Sequence, residues 1–471
     1  MSMKRKYFNS LRLVPYVFLI MVFVNTGFSQ LIWQRTYGGA DNDYGYSVQQ
    51  TLDGGYIVAG VAYSFGSSAQ IYLIKTDSLG DTLWTKTYGG SADDLGMSVQ
   101  QTTDGGYIIA GTTNSFGASR QVYLIKTDSL GDTLWTKTYG GVGNDLGTSV
   151  QQTTDRGYVI AGTTNSFGNS TQVYLIKTDS LGDTLWTKTY GGTIYDRGYS
   201  VQQTQDRGYI IGGEGNSSVD HDPIYLIKTD SLGDTLWTRT YCATFDEGRS
   251  VQQTQDGGYI IAGIRGFNGI AIYLVKTDSL GDTLWIKAYR WEEAAWGYSV
   301  QQTQDSGYIV AGKALNVEGT YEYNYFYLVK TDSLGDTIWT KTYGYGATEG
   351  ARCVQQTTDG GYILVGSNAA FGNGWQVWLI KTDEFGNGGI EDDTLARHLS
   401  HTSQLMIYPN PFSSFTTVIG YEKKRFILYD ISGRRVGSYL GDRIGFGLPA
   451  GVYFLMPEDK SFKPVRVVKV R

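Results

Sequence analysis

From Trp33 to Asp383 the chain alternates short runs of β-branched and aromatic residues with clusters of Gly, Asp and Ser, and the alternation returns about every 50 residues. Each period holds four runs, typified by SVQQT, GYIIAGTT, QVYLIKTD and TLWTKTYG. Every run reads as a short strand bounded by turn residues. The second and third are apolar on consecutive positions, as expected of a sheet covered on both faces. Four-stranded units that hide both faces must stand side by side around an axis. The anchor VQQT follows Ser47, Ser98, Ser149, Ser200, Ser250, Ser299 and Cys353, and a tryptophan recurs as Trp33, Trp84, Trp135, Trp186, Trp237, Trp285 and Trp339. Both series have seven members. The reading is all-β: a seven-bladed β-propeller over residues 30–388, a linker over 389–404 and a small β domain over 405–471.

The order of runs predicts how the ring shuts. The first period is preceded by a lone fourth-type strand, LIWQRTYGG, and the last stops after its third strand at Asp383. The segment around Trp33 should therefore supply the outer strand of the last blade. Between the first and second strands stand TDGG, TDRG, QDRG, QDGG or QDSG. The first glycine is replaceable (Arg156, Arg207, Ser306) and the second is not (Gly55, Gly106, Gly157, Gly208, Gly258, Gly307, Gly361). The invariant position is expected to need positive φ. DSLG, between the third and fourth strands, suits a type I turn. Its Asp77 and Asp81 read as turn formers rather than calcium ligands, since the EF-hand spacing is absent. The pattern D-x-x-G-x-x-x-W resembles the tryptophan-docking motif of quinoprotein-type propellers. That resemblance implies that the seven tryptophans are scaffold, each packed on a neighbouring blade, and it carries over no quinone site. No cofactor is expected.

Successive antiparallel strands put the nearly invariant turns on one rim and the variable loops on the other, where propellers usually carry recognition. An acid recurs four residues before the Ser or Cys that precedes the anchor, as Asp43, Asp94, Asp145, Asp196, Asp246 and Glu349, with Ala295 in the sixth unit. A loop cap bonded to nearby N–H groups is expected there, a ring of cation ligands being the alternative. The sixth unit departs most, with YRWEEAAWGYS and KALNVEGTYEYNYFYL. Trp291, Glu292, Glu293, Trp296, Tyr321 and Tyr323, with Trp375 from the next blade, are the candidate platform for a glycan or protein ligand. The competing reading is that these aromatics cover a longer loop.

Charge is uneven. The net value is −6, yet residues 405–471 hold eleven Lys/Arg against five Asp/Glu and the first twelve residues hold four basic groups, which leaves −16 for the middle. Nucleic-acid binding by the ring is therefore not expected. The chain holds 2 Cys and 3 His. Cys242 and Cys353 fall at non-equivalent positions, so no disulfide framework is expected. His221, His398 and His401 make no metal motif. No nucleophile elbow, zinc motif or phosphate loop occurs. The expectation is a monomeric binding or structural module rather than an enzyme. A polysaccharide-acting hydrolase or lyase is the alternative, and a converging pair of acids in a pocket of the variable rim would mark it.

Two segments speak of destination. Lys4, Arg5, Lys6 and Arg12 precede the apolar run LVPYVFLIMVFV, and Gly27 and Ser29 supply small residues, so residues 1–29 read as a signal peptide. The apolar run is too short to span a bilayer. At the other end stand YPNPF (Tyr408 to Phe412), LYDISGRRV (Leu428 to Val436), LPAGVYFL (Leu448 to Leu455) and a basic tail. This segment closely resembles the type A sorting domain of the bacterial type IX secretion system, with Pro409, Asn410, Pro411, Gly433, Arg434 and Gly451 at its motif positions. The resemblance implies an immunoglobulin-like β-sandwich and export. It also implies recognition by outer-membrane secretion and sortase-like machinery, commonly with removal of the domain and attachment to surface lipopolysaccharide. An immunoglobulin-like module retained in the mature protein is the rival.

Overall fold

The computed structural model describes residues 32–215, 223–241, 246–266, 270–318, 321–346, 348–369, 374–388, 407–408, 416–418, 424–441, 443–445, 447–458 and 465–469. The signal segment 1–29, the linker 389–404, Pro409, Asn410, Pro411, the three histidines and Cys242 lie outside the described residues. Those from 32 to 388 form seven four-stranded antiparallel sheets. The first comprises β2 (Asp43–Gln50), β3 (Tyr56–Ala62), β4 (Gln70–Thr76) and β5 (Thr82–Tyr88), and the next five follow the same plan. The last joins β26 (Thr348–Gln356), β27 (Tyr362–Asn368) and β28 (Gln376–Thr382) to β1 (Trp33–Tyr37). Trp33 sits opposite Lys381 and Tyr37 opposite Val377. The strand nearest the N-terminus thus completes the blade nearest the end of the repeat. At this seam Trp33, Tyr37, Tyr56, Val58, Val365 and Leu379 share one apolar cluster.

Burial explains the runs. β3 and β4 are covered along nearly their whole length, whereas β5 alternates between exposed and half-buried positions. The inward members of TLWTKTY each grip the turn of the next blade. The indoles of Trp33 to Trp339 meet a tyrosine of the following blade (Tyr56 to Tyr362) edge-on at 5.6–5.9 Å. Lys86 Nζ lies 2.8 Å from Asp132 Oδ1, and Tyr88 donates to the Gly131 carbonyl at 2.6 Å. The turn glycine makes room for the indole, since a Cβ at Gly131 would lie 2.8 Å from the Trp84 ring. The tryptophans are scaffold, and the repeated DSLG turn with the TLWTKTY strand after it encodes one junction.

The glycine expectation is corrected. Positive φ falls on the first, replaceable position: +83° at Gly54, +67° at Arg156, +66° at Arg207 and +64° at Ser306. The second position is invariant for a steric reason. A Cβ on Gly55 would stand 2.1 Å from the Thr76 carbonyl oxygen and 2.7 Å from Lys75 Nζ. That lysine, 3% exposed, donates to the same carbonyl at 2.8 Å and pairs with Asp53 at 2.9 Å. All seven units keep this lysine–aspartate pair at 2.8–3.0 Å. Burial pushes the Asp53 carboxyl up, but hydrogen bonds from Thr51, Lys75 and the Gly55 N–H outweigh it and hold the group below its ordinary value.

In the sixth blade β22 (Ala294–Gln302) and β25 (Thr337–Gly346) flank β23 (Tyr308–Glu318) and β24 (Tyr321–Thr331), which are 11 residues long where β3 and β4 have 7. The described C-terminal residues are also β. β31 (Arg425–Asp430), β32 (Arg435–Leu440), β33 (Gly451–Pro457) and β34 (Val465–Lys469) make one antiparallel sheet, and β29 (Ile407–Tyr408) pairs with β30 (Thr417–Val418). Gly433, at φ +80°, and Arg434 form the turn between β31 and β32, and Gly451 opens β33. Asp430 caps that turn by accepting from the Ser432 and Arg434 N–H groups at 3.0 Å.

Candidate functional site

The inner strands carry a device that the strand pattern alone did not reveal. An innermost strand has one edge without a strand partner, and its N–H groups need acceptors. The SVQQ side chains of the preceding blade provide them. Gln49 Oε1 accepts from the Gln101 N–H, and the same bond recurs at every junction at 2.5–2.6 Å, including Gln50 N–H to Gln355 Oε1 across the closing seam. The second glutamine reaches the other way: Gln101 Oε1 accepts from the Leu52 N–H in the turn of the preceding blade at 2.9 Å, and Gln50 Oε1 from the Thr358 N–H of the last blade at 2.9 Å. Ser47 Oγ takes the Val99 N–H at 3.2 Å. A cavity of about 250 Å³ on the axis is lined by the valine and first glutamine of all seven anchors. The glutamines of the inner wall and the turns of the invariant rim thus carry the repeated bonds that hold the blades together.

On the variable rim the recurrent acid is a cap. Asp43 is fully buried and accepts from the Gly39 N–H at 2.8 Å and Ser64 Oγ at 2.6 Å. Asp94 and Asp145 repeat this with Gly90 and Ser115, and with Gly141 and Ser166. Asp196 accepts from the Gly192 N–H at 2.6 Å. The side chains of Asp246 and Glu349 lie outside the described residues. Among those described, no group of three His, Cys, Asp or Glu is disposed to hold a metal.

The sequence-predicted platform is not assembled. Trp291 packs on Tyr327 at 5.1 Å between blades five and six. Phe65, Phe116 and Phe167 play this part on Tyr72, Tyr123 and Tyr174 in the first three blades. Trp291 is half-buried and packed against the interface of blades five and six. Tyr323 pairs with Asn316 in register and belongs to the face of β24 that carries Tyr325 and Tyr327 toward blade five. Trp296 lies opposite Lys313, whose Nζ sits 5.0 Å from the indole centroid, on the face toward blade seven. Alternation along a strand separates these residues onto opposite faces. Glu292, Glu293 and Glu322 are exposed. The backbone of Tyr321 pairs with that of Glu318, and its side chain lies outside the described residues.

Trp375 is at a different seam. Its carbonyl accepts from the Asp43 N–H at 2.6 Å, and its own N–H donates to Asn42 Oδ1 at 2.9 Å. Its ring stacks on Tyr44 with centroids 6.3 Å apart and planes at 27°, and Tyr63 meets Tyr44 edge-on at 6.4 Å. Tyr63 is 42% exposed. Tyr44 and Tyr63 were missed in the sequence. They become visible when equivalent positions are compared between units, because the second and third blades carry Leu95 and Asn114, and Leu146 and Asn165.

A second unrepeated cluster lies between blades four and five. Arg197 Nη1 is 2.7 Å from Glu214 Oε1, Arg249 pairs with Glu247, and the Arg249 guanidinium lies 4.3 Å from the Tyr199 ring centroid. Burial first, and then the Glu247 charge, push the Glu214 carboxyl up. Glu214 is 2% exposed. Each acid is matched by an arginine, so buried Glu214 and half-buried Glu247 belong to an ion network rather than forming a pair of unpaired carboxylates.

No protein-family model matches the chain, and no curated protein matches it. Solved structures do. Sqt1 from Chaetomium thermophilum is 12% identical, covers 94% of this chain and 99% of its own, and superposes with a TM-score of 0.44. YCF48 bound to D1 peptide is 10% identical over 76% of this chain and 100% of its own, at 0.45. The Pan2 WD40 domain of Neurospora crassa is 9% identical over 60% and 91%, at 0.36.

Proposed function

We propose that this chain is an exported β-propeller that acts at the cell surface as a recognition or scaffold module, delivered through residues 405–471. The observation that carries the recognition half is the division of labour between the rims. The uniform rim and the inner wall carry the repeated blade-to-blade bonds, while the unrepeated side chains gather on the other rim. The delivery half is supported by the leader over 1–29 and by the ordered C-terminal motifs in the sequence. The hydrolase alternative draws no support from Glu214 and Glu247, because each carboxylate is already paired with an arginine.

The test uses the full chain in a bacterium that has this secretion route. Wild type should reach the outside of intact cells and be shaved by added protease. A version lacking residues 405–471 should stay inside, and terminal mass spectrometry of the exported form would show whether the domain is removed. A full-length chain that never becomes protease-accessible would end the delivery reading. Capture of neither glycan nor protein on binding arrays by the exported form would end the recognition reading.

A further inference from the structure

We infer that the aromatic cluster at the closing seam, Trp375, Tyr44 and Tyr63, is a binding site for a neutral sugar ring. The inference supplies a ligand class for the recognition module proposed above and rests on that reading. Three observations carry it. First, the frame does not need these rings. The junction between blades one and two places Ala69, Leu95 and Asn114 at the same three positions, with the same bond from the Asp94 N–H to the Ala69 carbonyl, here 2.8 Å. The junction between blades two and three uses Arg120, Leu146 and Asn165. Both close without an aromatic there. Second, the place over Tyr72 is already taken on this blade by Phe65, at 5.3 Å, as Phe116 takes it over Tyr123, so the three rings are not needed there.

Third, the chemistry suits a pyranose. Tyr63 is exposed and stands edge-on to half-buried Tyr44, with Trp375 also half-buried, so the cluster offers aromatic surface against which the C–H face of a sugar can pack. Exposed Asp41 and Asn42 lie beside it, with Asn42 bonded directly to Trp375. A carboxylate and an amide are suited to hydroxyl groups. The Asp41 charge disfavours acidic sugars, so the ligand is a neutral hexose or N-acetylhexosamine rather than a uronate.

The test is isothermal titration of the full-length protein with maltohexaose, cellohexaose, chitohexaose and hexagalacturonate into the millimolar range. A triple variant, Tyr44→Leu, Tyr63→Asn and Trp375→Ala, copies the next junction and should melt with the parent. Tyr63→Asn alone alters only the exposed ring. At least one neutral oligosaccharide should bind, and the triple variant should lose about tenfold or more in affinity, the equivalent of two stacking contacts. Tyr63→Asn should weaken binding by a lesser factor. The inference is overturned if no neutral oligosaccharide binds, if hexagalacturonate binds equally well, or if both variants bind like the parent. Those outcomes leave the surface-display reading intact, which fails instead on protease shaving.

Discussion

Replacing Gly157 by alanine would place a methyl group 2.1 Å from the Thr178 carbonyl oxygen and 2.6 Å from Lys177 Nζ. The carbonyl cannot retreat, because Thr178 is paired with Tyr158 across the hairpin. The lysine can, but only by leaving Asp155, 2.9 Å away, while its side chain stays 4% exposed. Overpacking against fixed backbone costs about 1–3 kcal/mol, and weakening a buried ion pair adds to it. A loss of about 3 kcal/mol or more is expected for Gly157→Ala. The neighbouring change Arg156→Gly should behave oppositely. It relieves a non-glycine residue at φ +67°, worth about 1–2 kcal/mol, and gives back about 0.5–1 kcal/mol in chain entropy. The net effect should be a stabilisation of less than about 1.5 kcal/mol. Urea unfolding followed by tryptophan fluorescence reads both variants. If Gly157→Ala unfolds at the parent's midpoint, or Arg156→Gly is the damaging one, the steric account of the invariant glycine is wrong.

Other outcomes follow from the same geometry. Deleting residues 30–39 removes the outer strand of the last blade and should lower the melting temperature markedly, and Trp33→Ala alone should cost about 3–5 kcal/mol. A truncated chain as stable as the parent would disprove the closure. Gln355→Ala strips the acceptor from the Gln50 N–H and should cost about 1–3 kcal/mol by urea unfolding, with Gln252→Ala, at an interior junction, costing a similar amount. The turn aspartates, Asp53 to Asp359, all titrate below their ordinary value. A depressed folded value means their contribution is fully present above the unfolded pKa of about 3.9 and is lost as pH falls through the folded one. Melting temperature should therefore drop below about pH 4. A melting profile that stays level through that range would show the lysine pairs to be inert.

The architecture was legible because the run lengths, the tryptophan series and the displaced fourth strand before Asp43 all pointed to one ring. What escaped the sequence is informative. Lysine in QVYLIKTD reads as the polar end of a strand, and only the three-dimensional turn shows it buried beneath an aspartate that stands 22 residues away. The glutamines of SVQQT look like ordinary strand residues, since their partners lie on the next blade about 50 positions later. Trp291, Trp296 and Trp375 share one long stretch of chain and a common chemistry, but strand alternation and blade order send them to three different seams. Nearness in sequence is a poor guide to a site when every 50 residues turn the chain by a seventh of a circle. The seam pair Tyr44 and Tyr63 was hidden for the complementary reason: each looks unremarkable until it is compared with its counterparts in the neighbouring units.

The bonds between neighbouring blades repeat in kind at each junction: indole, lysine and tyrosine reach forward onto a turn, serine and the first glutamine forward onto a strand edge, and the second glutamine back onto the turn of the blade before. A module with a single kind of socket and a single kind of plug accepts any sibling behind it. Insertion or loss of one whole module by recombination would leave every remaining junction chemically complete, so the tally of modules is limited by how sharply the wall must curve and not by any one contact. Such a gene could lengthen or shorten in steps of about 150 nucleotides without leaving an unmatched junction.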